Sequence, residues 1–95
     1  MRFQLTNKAS GDLKCIAAYT QMTWGLEQRN EYLSLLDKAF RMIMENSGIG
    51  RNCDHIREGY FSLPVGKHLV FYRVEGDTVI IVRVLHQSMD VERQL

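Results

Sequence analysis

The sequence has almost no net charge and no long apolar run. Twelve Lys and Arg stand against eleven Asp and Glu, so the formal charge is +1. That charge is too small to draw the whole chain onto nucleic acid, and any such contact would be local. No apolar stretch approaches the roughly 20 residues that a membrane crossing needs, and the first residues lead into a polar stretch instead of an apolar signal core. We therefore expect a cytoplasmic protein with no membrane role and no strong direct binding to nucleic acid.

Cysteine is also scarce, since only Cys15 and Cys53 are present. They lie far apart in the chain, and in a reducing compartment both are expected to stay thiols. Cys53, Asp54 and His55 follow one another and invite a metal-site interpretation. One Cys and one His without a second cluster fall short of the four ligands of a zinc site. We expect no metal and no cofactor.

The chain is 95 residues long with 45% hydrophobic content. This length suffices for one packed core and is too short for two domains. No repeat or low-complexity segment is present. Residues 1–95 are therefore predicted to form a single domain.

The first half of the chain has the periodicity of one short strand and two helices. Phe3 and Leu5 alternate with polar residues, which favours a strand with one buried face. Thr6 or Asn7 is a suitable helix N-cap, and Gly25 a suitable stop, for a helix with apolar positions three or four residues apart. The same spacing from Tyr32 to Ile43 predicts a second helix. The short break at Gly25 indicates an antiparallel helical hairpin.

The second half of the chain is β-prone. Gly48 and Gly50 break the helical pattern, and a loop is expected over residues 51–58. Three strands are then predicted at residues 60–65, 68–74 and 78–85, joined by turns. Pro64 has no amide hydrogen, so its position belongs at an edge or a bulge. Residues 79–82 are apolar on both faces, so the last strand is expected to be central, and residues 88–95 form a helical turn or a loose tail.

The predicted class is α+β, in the order β-α-α-β-β-β. A helical hairpin would pack on a small twisted antiparallel sheet and bury one apolar face against the other. Proteins with this arrangement have many functions, so particular residues, and not the fold class, indicate the function.

Two segments of the strand region are distinctive. The first is Gly66-Lys67-His68-Leu69-Val70-Phe71-Tyr72-Arg73-Val74, and the second is Val82-Arg83-Val84-Leu85-His86-Gln87-Ser88-Met89-Asp90. Together with Asp12-Leu13, Ile16, Tyr19, Trp24-Gly25 and Gly59-Tyr60, they resemble the ParE toxins in the same order along nearly the whole chain. The His-hydrophobic-Phe-Tyr-Arg and Leu-His-Gln-x-x-Asp patterns are the more specific part.

The resemblance implies a RelE/ParE fold and the toxin of a type II toxin-antitoxin system. It implies inhibition of DNA gyrase by a bound toxin that stalls the enzyme on cleaved DNA, so that the chain is a binding protein and not an enzyme. It also implies neutralisation by a ParD-like antitoxin in a hetero-oligomer. A strand edge and grooves beside a helical hairpin are features on which a disordered antitoxin tail can fold.

The alternative within the same superfamily is a RelE-like, ribosome-dependent messenger endoribonuclease. Cleavage by the 2′-hydroxyl needs cations around the phosphate and a proton-transfer group. Leu69 stands where those enzymes carry a phosphate-binding arginine, and the register near Cys53 and Asp54 is too loose to place a base. A ribonuclease would have to use His86 with Arg73 or Arg83, and His86 alone lacks an orienting partner. A non-toxic relative that only binds antitoxin also remains open.

The surface expected to carry toxicity lies mainly at the end of the last strand and the tail. Its candidates are Arg73, Arg83, His86, Gln87, Met89, Asp90 and Arg93. Arg73 and Arg83 each interrupt an apolar face, which a salt bridge to Asp90 or Glu92 would explain as well as a functional role. The large side chains of the helices, Tyr19, Trp24, Met42 and Met44, are expected in the core.

Overall fold

Two long helices connect the first strand to the remaining strands. The computed structural model describes residues 2–95. Its elements are β1 (Arg2–Leu5), α1 (Asn7–Trp24), α2 (Leu26–Glu45), a 3-10 turn (Ser47–Ile49), β2 (Arg51–Asn52), β3 (Phe61–Val65), β4 (His68–Glu75), β5 (Thr78–His86) and α3 (Val91–Gln94). The α+β class and the predicted order are confirmed, with β2 as an additional short strand.

The ends of the helices follow from two residues that the sequence marks. The Thr6 hydroxyl accepts from the Ala9 amide at 3.0 Å and donates to the Val82 carbonyl at 2.8 Å, so it caps α1 and ties it to β5. Gly25 ends α1 with φ of +96°, a value that L side chains rarely adopt, and α2 begins at the next residue. The hairpin is confirmed.

The sheet has the order β1-β5-β4-β3-β2 and is antiparallel except at one pair. β1 runs parallel to β5, with Phe3 opposite Val79. This parallel pair was not predicted. A tight turn forces neighbouring strands to be antiparallel, whereas β1 and β5 are separated by most of the chain, so no turn fixes their relative direction.

The position of β5 between β1 and β4 confirms the prediction that the last strand is central, and Val79 and Ile81 are fully buried. Pro64 lies at an open edge as predicted, because the short β2 pairs only with Phe61 and Ser62. The helical turn of α3 confirms one of the two alternatives for the tail.

Each face of the sheet carries its own apolar cluster. The cluster under the helices includes Phe40, Tyr72 and Ile81, and the smaller cluster on the opposite face is built on Phe71 and Leu85. Tyr72 on β4 pairs with Ile81 on β5, whereas the preceding Phe71 pairs with Arg83. Val82 is therefore an extra residue, and this bulge separates the two halves of β5.

Several large side chains near the tip of the helical hairpin are exposed. Tyr19 and Trp24 are 67% and 68% exposed, so their prediction as core residues is wrong. Met42 is exposed as well, whereas Met44 is half-buried. Tyr19 stands between the buried Ile16 and Thr20 in the chain, so it is exposed because it lies on another side of α1, and Trp24 is the last residue of that helix. Within residues 2–95 no helix is both long and apolar enough to cross a membrane.

Candidate interaction surface

The last residue of β5, His86, belongs to a cluster of side chains. Its ring meets the ring of His68, its partner on β4, edge to face with centroids 5.3 Å apart. The Ser88 amide donates to His86 Nδ1 at 3.1 Å, and Ser88 Oγ lies 2.7 Å from the same nitrogen. The expectation that His86 lacks an orienting partner is therefore wrong.

Tyr32 of α2 completes this cluster. Its hydroxyl is within hydrogen-bond distance of His68 Nδ1, accepts from the Lys67 amide at 3.1 Å and lies 3.3 Å from the Val65 carbonyl oxygen. Burial lowers the pKa of His68, the neighbouring His86 lowers it further, and Asp12 acts in the opposite direction. We call Tyr32, His68, His86 and Ser88 the histidine cluster. Sequence reasoning missed His68 and Tyr32, although the strand register could have paired the two histidines.

Arg83 lies at the free edge of β5, beyond the end of β1. Its guanidinium donates to both carboxylate oxygens of Asp12 at 2.8 Å, and to the Gln94 carbonyl at 3.2 Å. The hydrogen bonds to Asp12 raise the pKa of Arg83. The expected salt bridge to Asp90 or Glu92 is wrong, because α1 brings Asp12 to this edge.

Arg73 is separated from the histidine cluster, although Arg83 is paired with Phe71, only two residues before Arg73 on β4. It lies five residues beyond His68 on β4, about 17 Å away along an extended strand, and pairs with Glu75 at 3.4 Å. A ribonuclease would need His86 with Arg73 or Arg83, and each of these arginines is paired with a carboxylate instead, Glu75 and Asp12 respectively. Leu69 joins the apolar cluster around Phe71.

The tail covers the second face of the sheet. Val91 and Leu95 pack against the cluster of Phe71 and Leu85, and the Arg57 guanidinium donates to the Leu95 carbonyl at 3.0 Å. The remaining candidates face solvent. They are Gln87, Met89, Asp90 and Arg93. The ion pair between Arg93 and Asp90 is long, at 3.4 Å, and its side chains are 86% and 61% exposed, so these groups are free to meet a partner.

A family profile covers almost the whole chain. The profile described as "ParE toxin of type II toxin-antitoxin system, parDE" matches residues 3–91. The chain belongs to the ParE toxin family. Toxin ParE1 of Mycobacterium tuberculosis is 45% identical over 95 residues, which covers 99% of this chain and 97% of that relative. Toxin ParE1 of Caulobacter vibrioides is 41% identical over 93 residues, covering 98% and 96%.

A solved structure supports the fold. The structure described as "Chromosomal ParDE TA system from P. aeruginosa" matches with a TM-score of 0.78 and covers 90% of this chain and 95% of its own. The sequence identity is 22%, so this likeness shows the shared fold of the ParE family and nothing finer.

A second surface of this ParE-family chain is an apolar groove beside β1. It has a volume of about 410 Å³ and lies where β1, α1 and α2 meet. Its apolar lining residues are Phe3, Leu5, Leu13, Ala17, Leu33, Leu36 and Phe40. Lys14 and Asp37 stand at its rim. The outer edge of β1 pairs with no other strand among residues 2–95.

Cys53 has a structural role. Its thiol is buried and lies 3.3 Å from Ser62 Oγ and 3.5 Å from the Arg51 carbonyl. No three His, Cys, Asp or Glu side chains within the described residues come close enough together to hold a metal ion. The Asp54 carboxylate accepts from the Gly59 amide, which lowers its pKa and closes the loop that follows β2.

Proposed function

We propose that this chain is a toxin that inhibits DNA gyrase by binding the enzyme and stalling it on cleaved DNA, without chemistry of its own. What favours a binding toxin over a ribonuclease is that Arg73 and Arg83 are each paired with a carboxylate and neither is paired with His86. Cleavage of RNA requires cations and a proton donor around one phosphate. Here Arg83 is already paired with Asp12, and Arg73 lies towards the far end of β4.

The surface proposed for gyrase is the exposed start of the tail with the end of β5. Met89 is 48% exposed, and it lies beside the exposed charges of Asp90 and Arg93. An apolar side chain ringed by charges resembles the centre and rim of a protein interface. The histidine cluster forms the rigid floor of this surface, because it joins β4, β5 and α2.

For neutralisation we propose a ParD-like antitoxin whose tail folds into the groove beside β1. The lining of the groove is apolar, which suits the buried face of a folding segment, and the open edge of β1 can add a strand. Lys14 and Asp37 at the rim offer one charge of each sign to flanking residues of the tail. The two proteins would form a hetero-oligomer, and the toxin would work in the cytoplasm, where it meets gyrase.

The test is a gyrase assay with the purified chain. Adding the chain should reduce supercoiling and increase the amount of cleaved DNA trapped on the enzyme, and adding the antitoxin first should prevent both effects. Unchanged supercoiling at saturating toxin would remove the gyrase proposal.

One observation favours the ribonuclease alternative. His86 has the His68 ring against its own and Ser88 at its Nδ1, which is an orienting environment of the kind that a general acid needs. On that alternative, messages in stalled ribosomes would be cut, and His86→Ala would abolish cutting. Intact messages during growth arrest would exclude it. Normal growth after expression without the antitoxin would instead indicate a non-toxic relative.

A further inference from the structure

The position of the tail depends on its contacts with the rest of the chain. α3 has only four residues, Val91–Gln94, and its N-cap residue Asp90 makes no side-chain cap hydrogen bond. A helix of one turn is unstable in isolation, because fixing the first turn costs more than its few hydrogen bonds return. Residues 87–90, which connect β5 to α3, are all exposed. Contacts beyond the connecting segment therefore have to hold α3 in place.

Two arginines from distant parts of the chain hold the carbonyl end of the tail. Arg57, in the loop that follows β2, donates to the Leu95 carbonyl at 3.0 Å. Arg83 on β5 donates to the Gln94 carbonyl at 3.2 Å. The last carbonyls of a helix lack partners within the helix and carry partial negative charge, so a guanidinium is a suitable donor for them. We call Arg57 and Arg83 the tail clamp.

The docked tail directs its apolar and its charged side chains to different sides. Val91 and Leu95 are four residues apart, so they share one side of α3. Both pack on the apolar cluster of the second face of the sheet. Arg93 is two residues from each of them, which places it on roughly the opposite side of a helix, and its side chain is 86% exposed. Docking of Val91 and Leu95 therefore presents Arg93 to solvent.

We propose that the tail clamp positions the surface with which this chain meets gyrase. Arg57 and Arg83 are positioning residues that keep α3 docked, so that Met89 and Arg93 face outward in one fixed arrangement. This inference rests on the proposed gyrase contact. A tail that leaves the sheet has to be ordered again on binding, and the apparent affinity falls in proportion to the docked fraction. Loss of the clamp would therefore weaken inhibition even where neither arginine touches gyrase.

Arg57 is the better of the two arginines to change. Arg83 also holds Asp12 through two hydrogen bonds, so its loss would disturb the edge of β5 as well as the tail. Arg57 is exposed, and Arg57→Met keeps an unbranched side chain while it removes the charge and the donors. The backbone hydrogen bond from the Arg57 amide to the Cys53 carbonyl, at 2.9 Å, does not involve the side chain. Arg51→Met is the matched control, at an exposed arginine of the neighbouring β2.

Cys53 gives a readout of tail docking. Its thiol is buried in the cluster that the tail covers, whereas Cys15 is exposed. With Cys15→Ser in every protein, the reaction of Cys53 with dithiobis-nitrobenzoate follows the population of chains whose tail is open. Arg57→Met should speed this reaction about fivefold, because one charged hydrogen bond is lost. Val91→Ser, which loosens the tail from the other side, should also speed it, and Arg51→Met should leave the rate unchanged.

Gyrase cleavage gives the functional readout. Arg57→Met combined with Val91→Ser should leave the tail open in most chains and raise the toxin concentration for half-maximal cleavage at least about fivefold. Circular dichroism should show that the two long helices are retained. Cys53 reactivity unchanged by Arg57→Met, or raised equally by Arg51→Met, would overturn the clamp, and full inhibition by the double variant with an open tail would overturn its positioning role. A native chain that leaves gyrase active would instead overturn the gyrase proposal, and the thiol reaction would still decide whether the clamp holds the tail.

Discussion

Asp12 on α1 holds Arg83 on β5 through two hydrogen bonds of 2.8 Å, across 71 residues of sequence. The same carboxylate accepts from the Val84 amide at 2.9 Å. The side chains of the pair are only 15% and 14% exposed. β1 supplies backbone hydrogen-bond partners to the first half of β5. Asp12 supplies the acceptor at the edge of the second half, which β1 does not reach.

Removing this carboxylate should destabilise the fold. Asp12→Ala leaves a largely buried guanidinium and a strand amide without their acceptor, and the free energy of unfolding should fall by about 3 kcal/mol. Urea denaturation measures this. Asp37→Ala is the matched control, since its ion pair with Arg41 is half exposed and should contribute less than about 1 kcal/mol. Equal losses in the two variants would contradict the role given to Asp12.

The histidine cluster should make stability depend on pH. The pKa of His68 is lowered in the folded chain by burial and by His86, while Asp12 opposes the shift. The unfolded chain therefore binds a proton more readily, so stability is complete above the unfolded value of about 6.5 and is lost as the pH falls below it. Tyr32 contacts His68 from α2, and Lys67 adds a positive charge nearby.

The measurement is the urea midpoint at pH values on both sides of 6.5. The midpoint of the native chain should drop on acidification, and His68→Gln should flatten that dependence. His55→Gln is the control, because His55 is exposed and lies outside the cluster. A pH profile unchanged by His68→Gln would contradict the assignment.

The turn between β3 and β4 should not tolerate a side chain. Gly66 has φ of +57°, and a Cβ there would lie 2.7 Å from the Tyr32 ring, whereas Gly76 has φ of +60° with open space. Gly76→Ala should cost about 1–2 kcal/mol from the backbone alone. Gly66→Ala should cost about 1–3 kcal/mol more, because Tyr32 has to move. Thermal or urea unfolding of the two variants isolates this contact, and equal costs would show that Tyr32 yields freely.

The surface proposed for gyrase can be tested by introducing negative charge. Met89→Glu and Arg93→Glu should each raise the toxin concentration needed for half-maximal DNA cleavage at least tenfold (~1.4 kcal/mol) without changing the fold, since both residues are exposed. Arg73→Gln should have the smaller effect, because Arg73 lies beyond Phe71 on β4, pairs with Glu75, and is outside the exposed start of the tail that carries Met89. The assay is gyrase cleavage across a toxin titration. If Arg73→Gln had the larger effect, the toxic surface would lie at the other end of the sheet.

The proposed antitoxin site can be tested by placing a large side chain in the groove beside β1. Ala17→Arg places a long cation over the apolar lining and should weaken binding of the antitoxin at least tenfold, or ~1.4 kcal/mol, while the arginine stem can reach solvent and preserve the fold. Ser34→Arg, on the exposed part of α2, is the control. Calorimetric titration with the antitoxin gives the comparison, and unaltered binding by Ala17→Arg would move the antitoxin to another surface.

Much of the fold could be predicted because its signals are local. Thr6 and Gly25 bound α1 through their own hydrogen bonds and backbone angles, and the apolar periodicity of α2 and of the three long strands lies within each segment. The position of Pro64 at an edge follows from its missing amide hydrogen alone. Such properties depend on neighbouring residues, which a sequence displays directly.

The contacts of the candidate site could not be predicted from the sequence. Which acid holds Arg83, that His68 and Tyr32 accompany His86, and that β1 is parallel to β5 all depend on elements distant in the chain. Tyr19 and Trp24 have helical spacing that suits a core, yet no other element covers them. The type and approximate place of the long helices and strands could be predicted from the residues alone, because those are local propensities. Which surfaces meet and which stay open follows from the folded chain, because long-range packing fixes the neighbours of each side chain.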